Sequence, residues 1–144
     1  MTRIDFYVAE PNSRFDRYLL ACRVANKAHQ AEHRVLIHTV EADEVRHLDR
    51  LLWTLDDISF IPHGVIGQAD PRMNPILIGD ASVTDPEQEF DVLINLAPAV
   101  PEFFSRFERL VECVDQDAQI TARSRERYRF YRDRGYALKM HNIA

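Results

Sequence analysis

Glycine is scarce in this chain: Gly64, Gly67, Gly79 and Gly135 are the only four among 144 residues. Phosphate-cradling loops need glycine for close backbone approach, and neither G-x-G-x-x-G nor G-x-x-x-x-G-K-[ST] can be written anywhere. The turn after the first expected strand, Glu10-Pro11-Asn12-Ser13-Arg14, holds none, which argues against nucleotide binding. Cysteine is equally sparse. Cys22 and Cys113 lie far apart in apolar-rich segments, neither in the basic setting of a nucleophile, so buried free thiols in a reducing cytosol are expected, not a disulfide frame or a thiolate nucleophile. No apolar run approaches the roughly 20 residues of a membrane span. Met1-Thr2-Arg3-Ile4-Asp5 lacks the layout of a signal peptide, because an acid interrupts the first apolar stretch.

Reactive constellations are missing as well. No serine sits in a G-x-S-x-G elbow, and the paired carboxylates Asp56-Asp57 and Glu87/Glu89 lie beside turns, where such groups cap or solvate. His29-Gln30-Ala31-Glu32-His33 matches the letters of H-x-x-E-H, but it closes a helix directly before a strand, with no clear third ligand placed downstream on a long helix. A solvated helix end is the better reading than a zinc hydrolase. The expectation is a binding module with no catalytic residues, no metal and no cofactor.

What is present is a split charge. The chain carries 18 basic and 23 acidic residues, a formal −5. Between Thr121 and Met140 stand Arg123, Arg125, Arg127, Arg129, Arg132, Arg134 and Lys139 against Glu126 and Asp133, a formal +5, which leaves −10 on the rest. Tyr128, Phe130 and Tyr131 interleave with the arginines, and Tyr136 follows Gly135. Arginines among aromatics can clamp phosphates or carboxylates. A solvated helix balancing an acidic body is an equal reading of the residues alone.

Periodicity outlines the fold. Strands are expected at Arg3–Ala9, Arg34–Thr39, Pro75–Gly79 and Phe90–Leu96. Helices are expected from Arg14 to about Ala31 with Ser13 as N-cap, from Glu41 along Val45, Leu48, Leu52 and Leu55, and from Pro101 through Phe103, Phe104, Phe107, Leu110 and Val111. The last helix spans about Gln116 to Arg134, with Gly135 as its stop. Pro71–Pro75 and Thr84-Asp85-Pro86 read as loop and turn. Strands alternating with helices define one α/β domain over residues 1–144, three-layered, with a mostly parallel sheet flanked by helices. An α/β domain invites a nucleotide-binding reading, which the missing phosphate loop opposes. Leu51, Leu52, Trp53, Leu55, Ile58, Phe60 and Ile61 carry more apolar surface than one amphipathic helix needs. Either that helix is buried on two sides, or part of the cluster faces a partner.

Two segments together resemble a known family. Leu51-Leu52-Trp53 followed by Ser59-Phe60-Ile61-Pro62-His63, and Arg125-Glu126-Arg127-Tyr128-Arg129-Phe130-Tyr131-Arg132 ending at Gly135-Tyr136, resemble the two signatures of the chi-subunit family of bacterial DNA polymerase III. The strands at Phe6-Tyr7, Arg34–Ile37 and Phe90–Leu96 match in place and type, while Val65–Glu89 matches least. The resemblance implies a topology like that of nucleotide-binding domains without their phosphate-binding loop, and a non-catalytic accessory subunit of the holoenzyme, in the bacterial cytoplasm at the nucleoid-associated replisome, as a monomer or a heterodimer with psi. It implies two partners. The acidic C-terminal tail of single-stranded DNA-binding protein, which ends in a hydrophobic residue, would meet Arg125, Tyr128, Arg129, Arg132, Gly135 and Tyr136. The psi subunit would meet Trp53, Phe60, Pro62 and His63, a surface that a repair helicase could share. DNA would be contacted only indirectly. The competing reading is direct binding of single-stranded nucleic acid by the basic helix, with stacking on Tyr128 or Tyr131.

Overall fold

The computed structural model describes residues 1–55, 61–70, 73–84, 86 and 91–144. Seven strands form one sheet: β1 (Arg3–Ala9), β2 (Val35–His38), β3 (His63–Val65), β4 (Ile76–Gly79), β5 (Val92–Asn95), β6 (Arg109–Val114) and β7 (Leu138–Ile143). Their spatial order is β3-β4-β2-β5-β6-β1-β7, and every pairing is parallel. Three helices cover the sheet: α1 (Arg17–Gln30), α2 (Ala42–Thr54) and α3 (Ala118–Asp133). The expected α/β architecture is therefore present, with a wholly parallel sheet.

The central strands show why both faces must be covered. Val35 and Ile37, Ile76 and Ile78, Val92 and Ile94, and Val111 and Cys113 pack beneath α1 and α2. The alternate residues Leu36, Leu77, Leu93 and Leu110 join Ile4, Phe6, Phe104 and Tyr131 on the α3 side. Near-continuous apolar runs of this kind are the mark of a strand buried on both faces.

The expected helix from Pro101 does not form. The segment makes a single 3-10 turn, Phe104–Arg106, and then enters β6. Phe103, Phe104 and Phe107 fit helical spacing, but they fill the core beneath α3. From Leu110 the pattern has period two, with Leu110, Glu112 and Val114 on one face and Val111 and Cys113 on the other. Strands β3 and β7 had no counterpart among the expected elements. Helix α1 starts three residues later than expected: Asp16 caps it by accepting from the Leu19 N–H at 2.8 Å, while Ser13 Oγ accepts from Phe15 N–H in the preceding turn. Glycine does supply the stop after α3, with Gly135 at φ +81°. Phe60, Asp56-Asp57, Asp85, Glu87/Glu89 and the start of the Phe90 strand lie outside the described residues.

Candidate functional site

The basic helix α3 has two faces of different character. Its inner face is anchored by a carboxylate buried in the middle of β6. Glu112 is fully buried and accepts from Arg127 Nε (3.0 Å), Tyr131 OH (2.6 Å) and Asn95 Nδ2 (3.1 Å). Arg127 also donates to the Pro98 carbonyl at 2.9 Å. Burial pushes the Glu112 carboxyl above the usual carboxylate range, opposed by the Arg127 guanidinium and the two neutral donors. Burial beside Glu112 likewise raises the Tyr131 phenol. Two members of the arginine-aromatic segment thus hold the helix to the sheet.

The outer face carries the cations. Arg125, Arg129 and Arg132 are exposed, and their three-and-four spacing sets them along one side of α3 with Tyr128 at its border. Arg125 and Tyr128 line a cleft of about 400 Å³ whose apolar wall comes from Phe6 and Val8 of β1, Val114 of β6 and Met140 of β7. The Tyr128 ring packs edge-on against Phe6, centroids 5.5 Å apart. Arg125 and Arg129 form no ion pair among the described residues, whereas Arg132 bonds to Asp133 Oδ1 at 3.1 Å. Gly135 and Tyr136 end the helix, and Tyr136 packs on Phe104, with centroids 5.2 Å apart, away from the residues lining the cleft. The structure therefore brings Arg125 and Tyr128 together at one cavity. Phe6, Val8, Val114 and Met140 could not be named from sequence, because they arrive from three strands far apart in the chain.

The second surface lies at the other edge of the sheet. Trp53, near the end of α2, is 56% exposed, and its ring stands edge-on to His63 at 4.9 Å. His63, on edge strand β3, is buried: Nδ1 lies 2.7 Å from the Ile61 carbonyl oxygen and Nε2 3.1 Å from Asp49 Oδ1. Its side chain acts from below, supporting the tryptophan. Pro62 is half-buried between them in the chain. The fourth expected member, Phe60, falls outside the described residues.

The carboxyl edge of the sheet, where folds of this topology take their ligands, carries a cleft of about 600 Å³ between the starts of the three helices. Each start is already occupied. Asp16 caps α1, Glu44 reaches back to the Glu41 N–H before α2 at 3.2 Å, and Asp117 accepts from Gln119 and Ile120 N–H before α3. Arg17, in the first turn of α1, is tied to Asp115 and Tyr18, and Tyr18 donates to Glu44 at 2.7 Å. A phosphate would meet carboxylates where it needs free N–H groups. The His29–His33 segment is no better placed for a metal. The chain leaves α1 through Glu32 at φ +67°, and His33 turns to Asp91, its Nδ1 3.4 Å from Oδ2. Among the described residues no three His, Cys, Asp or Glu side chains cluster as a metal site, and no helix is long and apolar enough to cross a membrane.

Fold and surfaces together define a parallel α/β protein with an apolar cleft beside α3, an exposed tryptophan at the opposite edge of the sheet, and side-chain caps on the helix starts at the carboxyl edge. The family model described as "DNA polymerase III chi subunit, HolC" matches residues 1–139. The chain is 35% identical to the DNA polymerase III subunit chi of Pseudomonas aeruginosa, covering 99% of this chain and 98% of that protein. It is 28% identical to the subunit chi of Haemophilus influenzae, with 96% and 95% covered. It is 29% identical to that of Escherichia coli, with 83% and 80% covered. The chain belongs to the DNA polymerase III chi subunit family, and so to the accessory subunits of replication.

Proposed function

We propose that the chain is an adaptor in DNA replication that links the polymerase III assembly, through psi, to the acidic tail of single-stranded DNA-binding protein. The observation that carries the reading is the cleft between α3 and the sheet, where the exposed Arg125 lies beside an apolar wall of Phe6, Val8, Val114 and Met140 with Tyr128 at its rim. Clustered carboxylates ending in a hydrophobic residue ask for that pairing: a guanidinium fork for the charge and an apolar slot for the ring. Arg129 and Arg132 extend the cationic side for acids further up the peptide. The exposed Trp53, braced on His63, is a fitting anchor for psi at the opposite edge.

Titration of the full chain with a synthetic acidic peptide ending in phenylalanine, and in parallel with a bare single-stranded oligonucleotide, tests the reading. The peptide is expected to bind, and Arg125→Ala to weaken it about 10- to 100-fold, the loss of one charge-assisted hydrogen bond of roughly 1.5–3 kcal/mol. The thermal midpoint should stay unchanged. Tight oligonucleotide binding without peptide binding would replace the adaptor by a direct nucleic-acid binder.

A further inference from the structure

We infer that the free edge of β7 takes up the acidic peptide as an eighth strand, its terminal ring in the α3 cleft and its upstream residues hydrogen-bonded along Leu138–Asn142. The inference rests on the peptide-binding reading of that cleft and adds a backbone mode of recognition to it.

Among the described residues strand β7 pairs only with β1. Ile4 N–H donates to the Ala137 carbonyl and Glu10 N–H to the Ile143 carbonyl. Because backbone groups alternate in direction along a parallel strand, residues 137, 139, 141 and 143 face β1. Those of Leu138, Met140 and Asn142 face outward, with no strand partner among the described residues. Of the usual protections the edge has a single lysine, Lys139: it contains no proline, it keeps an unbroken register with β1, and it runs six residues, roughly 20 Å. The side chains of the outward residues lie on the α3 face, since Met140 pairs with Phe6 and lines the same cleft. Met140 is 51% exposed, so the edge and the cleft are one continuous surface.

Charge selects the occupant. An added strand would direct every second side chain toward α3, where Arg125 and Arg129 are exposed and form no ion pair among the described residues. Acidic side chains at alternate positions complement that row. A second copy of this chain fits badly, because antiparallel pairing of two β7 edges would press the +5 segment of residues 121–140 against itself. The left-hand edge strand, β3, has only three residues, too short to hold a comparable ladder.

The test uses the full chain and the same acidic peptide ending in phenylalanine, together with versions carrying a single N-methyl group on successive upstream amides. Methylation at alternate positions is expected to weaken binding at least tenfold and at the intervening positions less than threefold. Met140→Pro removes an outward N–H without touching the β1 ladder, as proline on an edge strand permits. It should weaken the peptide at least tenfold more than Met140→Ala does. If every methylated peptide binds like the parent while Arg125→Ala still weakens binding at least tenfold, strand addition is overturned and the cleft reading stands. If the alternating effect appears but Arg125→Ala is silent, the edge binds and the cleft assignment falls. A parent peptide that does not bind overturns both. Should Met140→Pro misfold, the methylated series decides alone.

Discussion

Removing the Glu112 carboxylate separates the arginine that builds helix α3 from the arginines proposed to bind. Glu112→Ala leaves the Arg127 guanidinium, itself only 6% exposed, without its counter-charge, and strips Tyr131 OH and Asn95 Nδ2 of their acceptor. Breaking one side of a buried ion pair costs about 3–5 kcal/mol. Unfolding entropy of about 2.1 cal/mol/K per residue gives roughly 0.3 kcal/mol per kelvin for a chain of this length, so the midpoint should fall by about 10–17 °C. Arg127→Met is gentler, because the orphaned Glu112 can take up a proton and keep Tyr131 and Asn95 as neighbours.

The two variants also differ in pH dependence. Burial already raises the folded-state Glu112 carboxyl above its ordinary value, and loss of Arg127 raises it further. A group raised on folding contributes stability that is fully present below its unfolded value, near 4.5, and is lost as pH rises through the folded one. The deficit of Arg127→Met should therefore be small near pH 4.5 and widen toward neutrality. That of Glu112→Ala should not narrow in acid, since no carboxyl remains beside Arg127 to take up a proton. Replacing both residues, as Glu112→Leu with Arg127→Met, should be less damaging than Glu112→Ala alone. Urea titration at several pH values, followed by far-ultraviolet circular dichroism, reads all three. A Glu112→Ala cost below 1 kcal/mol, or identical pH profiles for the two single variants, would refute the buried anchor. The double variant should also retain the acidic peptide, which Arg125→Ala loses.

Three further outcomes are expected. Glu32→Gly relieves the left-handed backbone at φ +67° and should stabilise the chain by about 0.5–1 kcal/mol; a lower midpoint would deny strain at that turn. Asp5 binds Arg109 on β6 (2.6 Å) and His141 on β7 (3.0 Å). Burial alone would raise its carboxyl, but these hydrogen bonds and charges outweigh it and hold it below 3.8. The stability it lends is present above its unfolded value and lost as pH falls below about 4. Asp5→Asn should thus flatten the acid limb of a midpoint-against-pH curve, and parallel limbs would contradict the network. Trp53→Ala should cost about 1–2 kcal/mol, less than the 3–5 of a buried tryptophan, while co-purification with coexpressed psi is lost; a variant that fails to fold would return Trp53 to the core.

The sequence displays what is locally repetitive. Strands β2, β4 and β5 announce themselves as Val-Leu-Ile-His, Ile-Leu-Ile-Gly and Val-Leu-Ile-Asn, runs that only a doubly covered strand tolerates. Helix α3 is legible from its caps, Asp117 before it and Gly135 after it. Strand β6 was hidden because Glu112, a charge at its centre, masks an apolar strand, while the three preceding phenylalanines imitate a helix. Strand β7 was hidden because an edge strand beside a basic helix keeps Lys139, His141 and Asn142 without penalty. At the site, Arg125 and Tyr128 could be named from the segment, but Arg127 was grouped with the surface arginines. One signal was available: on a helical wheel Arg127 falls with Ile120, Ser124 and Tyr131, not with Arg125 and Arg132. Its partner is 15 residues away on another element, and no spacing rule reaches that far.

The placement of the two surfaces gives the fold its logic. In a parallel α/β sheet the helix N-termini at the carboxyl edge are the natural anion sites. Here Asp16, Glu41 with Glu44, and Asp117 fill all three, and Arg17 is spent on Asp115 and Glu44. On the proposed reading, recognition is thereby displaced to the two ends of the strand order. The Trp53–His63 pair sits by β3, the first strand, and the Arg125 cleft by β1 and β7, the last two. Six inter-strand steps of about 4.8 Å set these ends roughly 29 Å apart, a Debye length or more beyond mutual electrostatic influence at physiological salt. Sites so separated, joined by a close-packed sheet that neither must deform, carry little coupling free energy. On the proposed reading, a tether that must hold two proteins at once gains from that independence, because occupying one end leaves the affinity of the other intact.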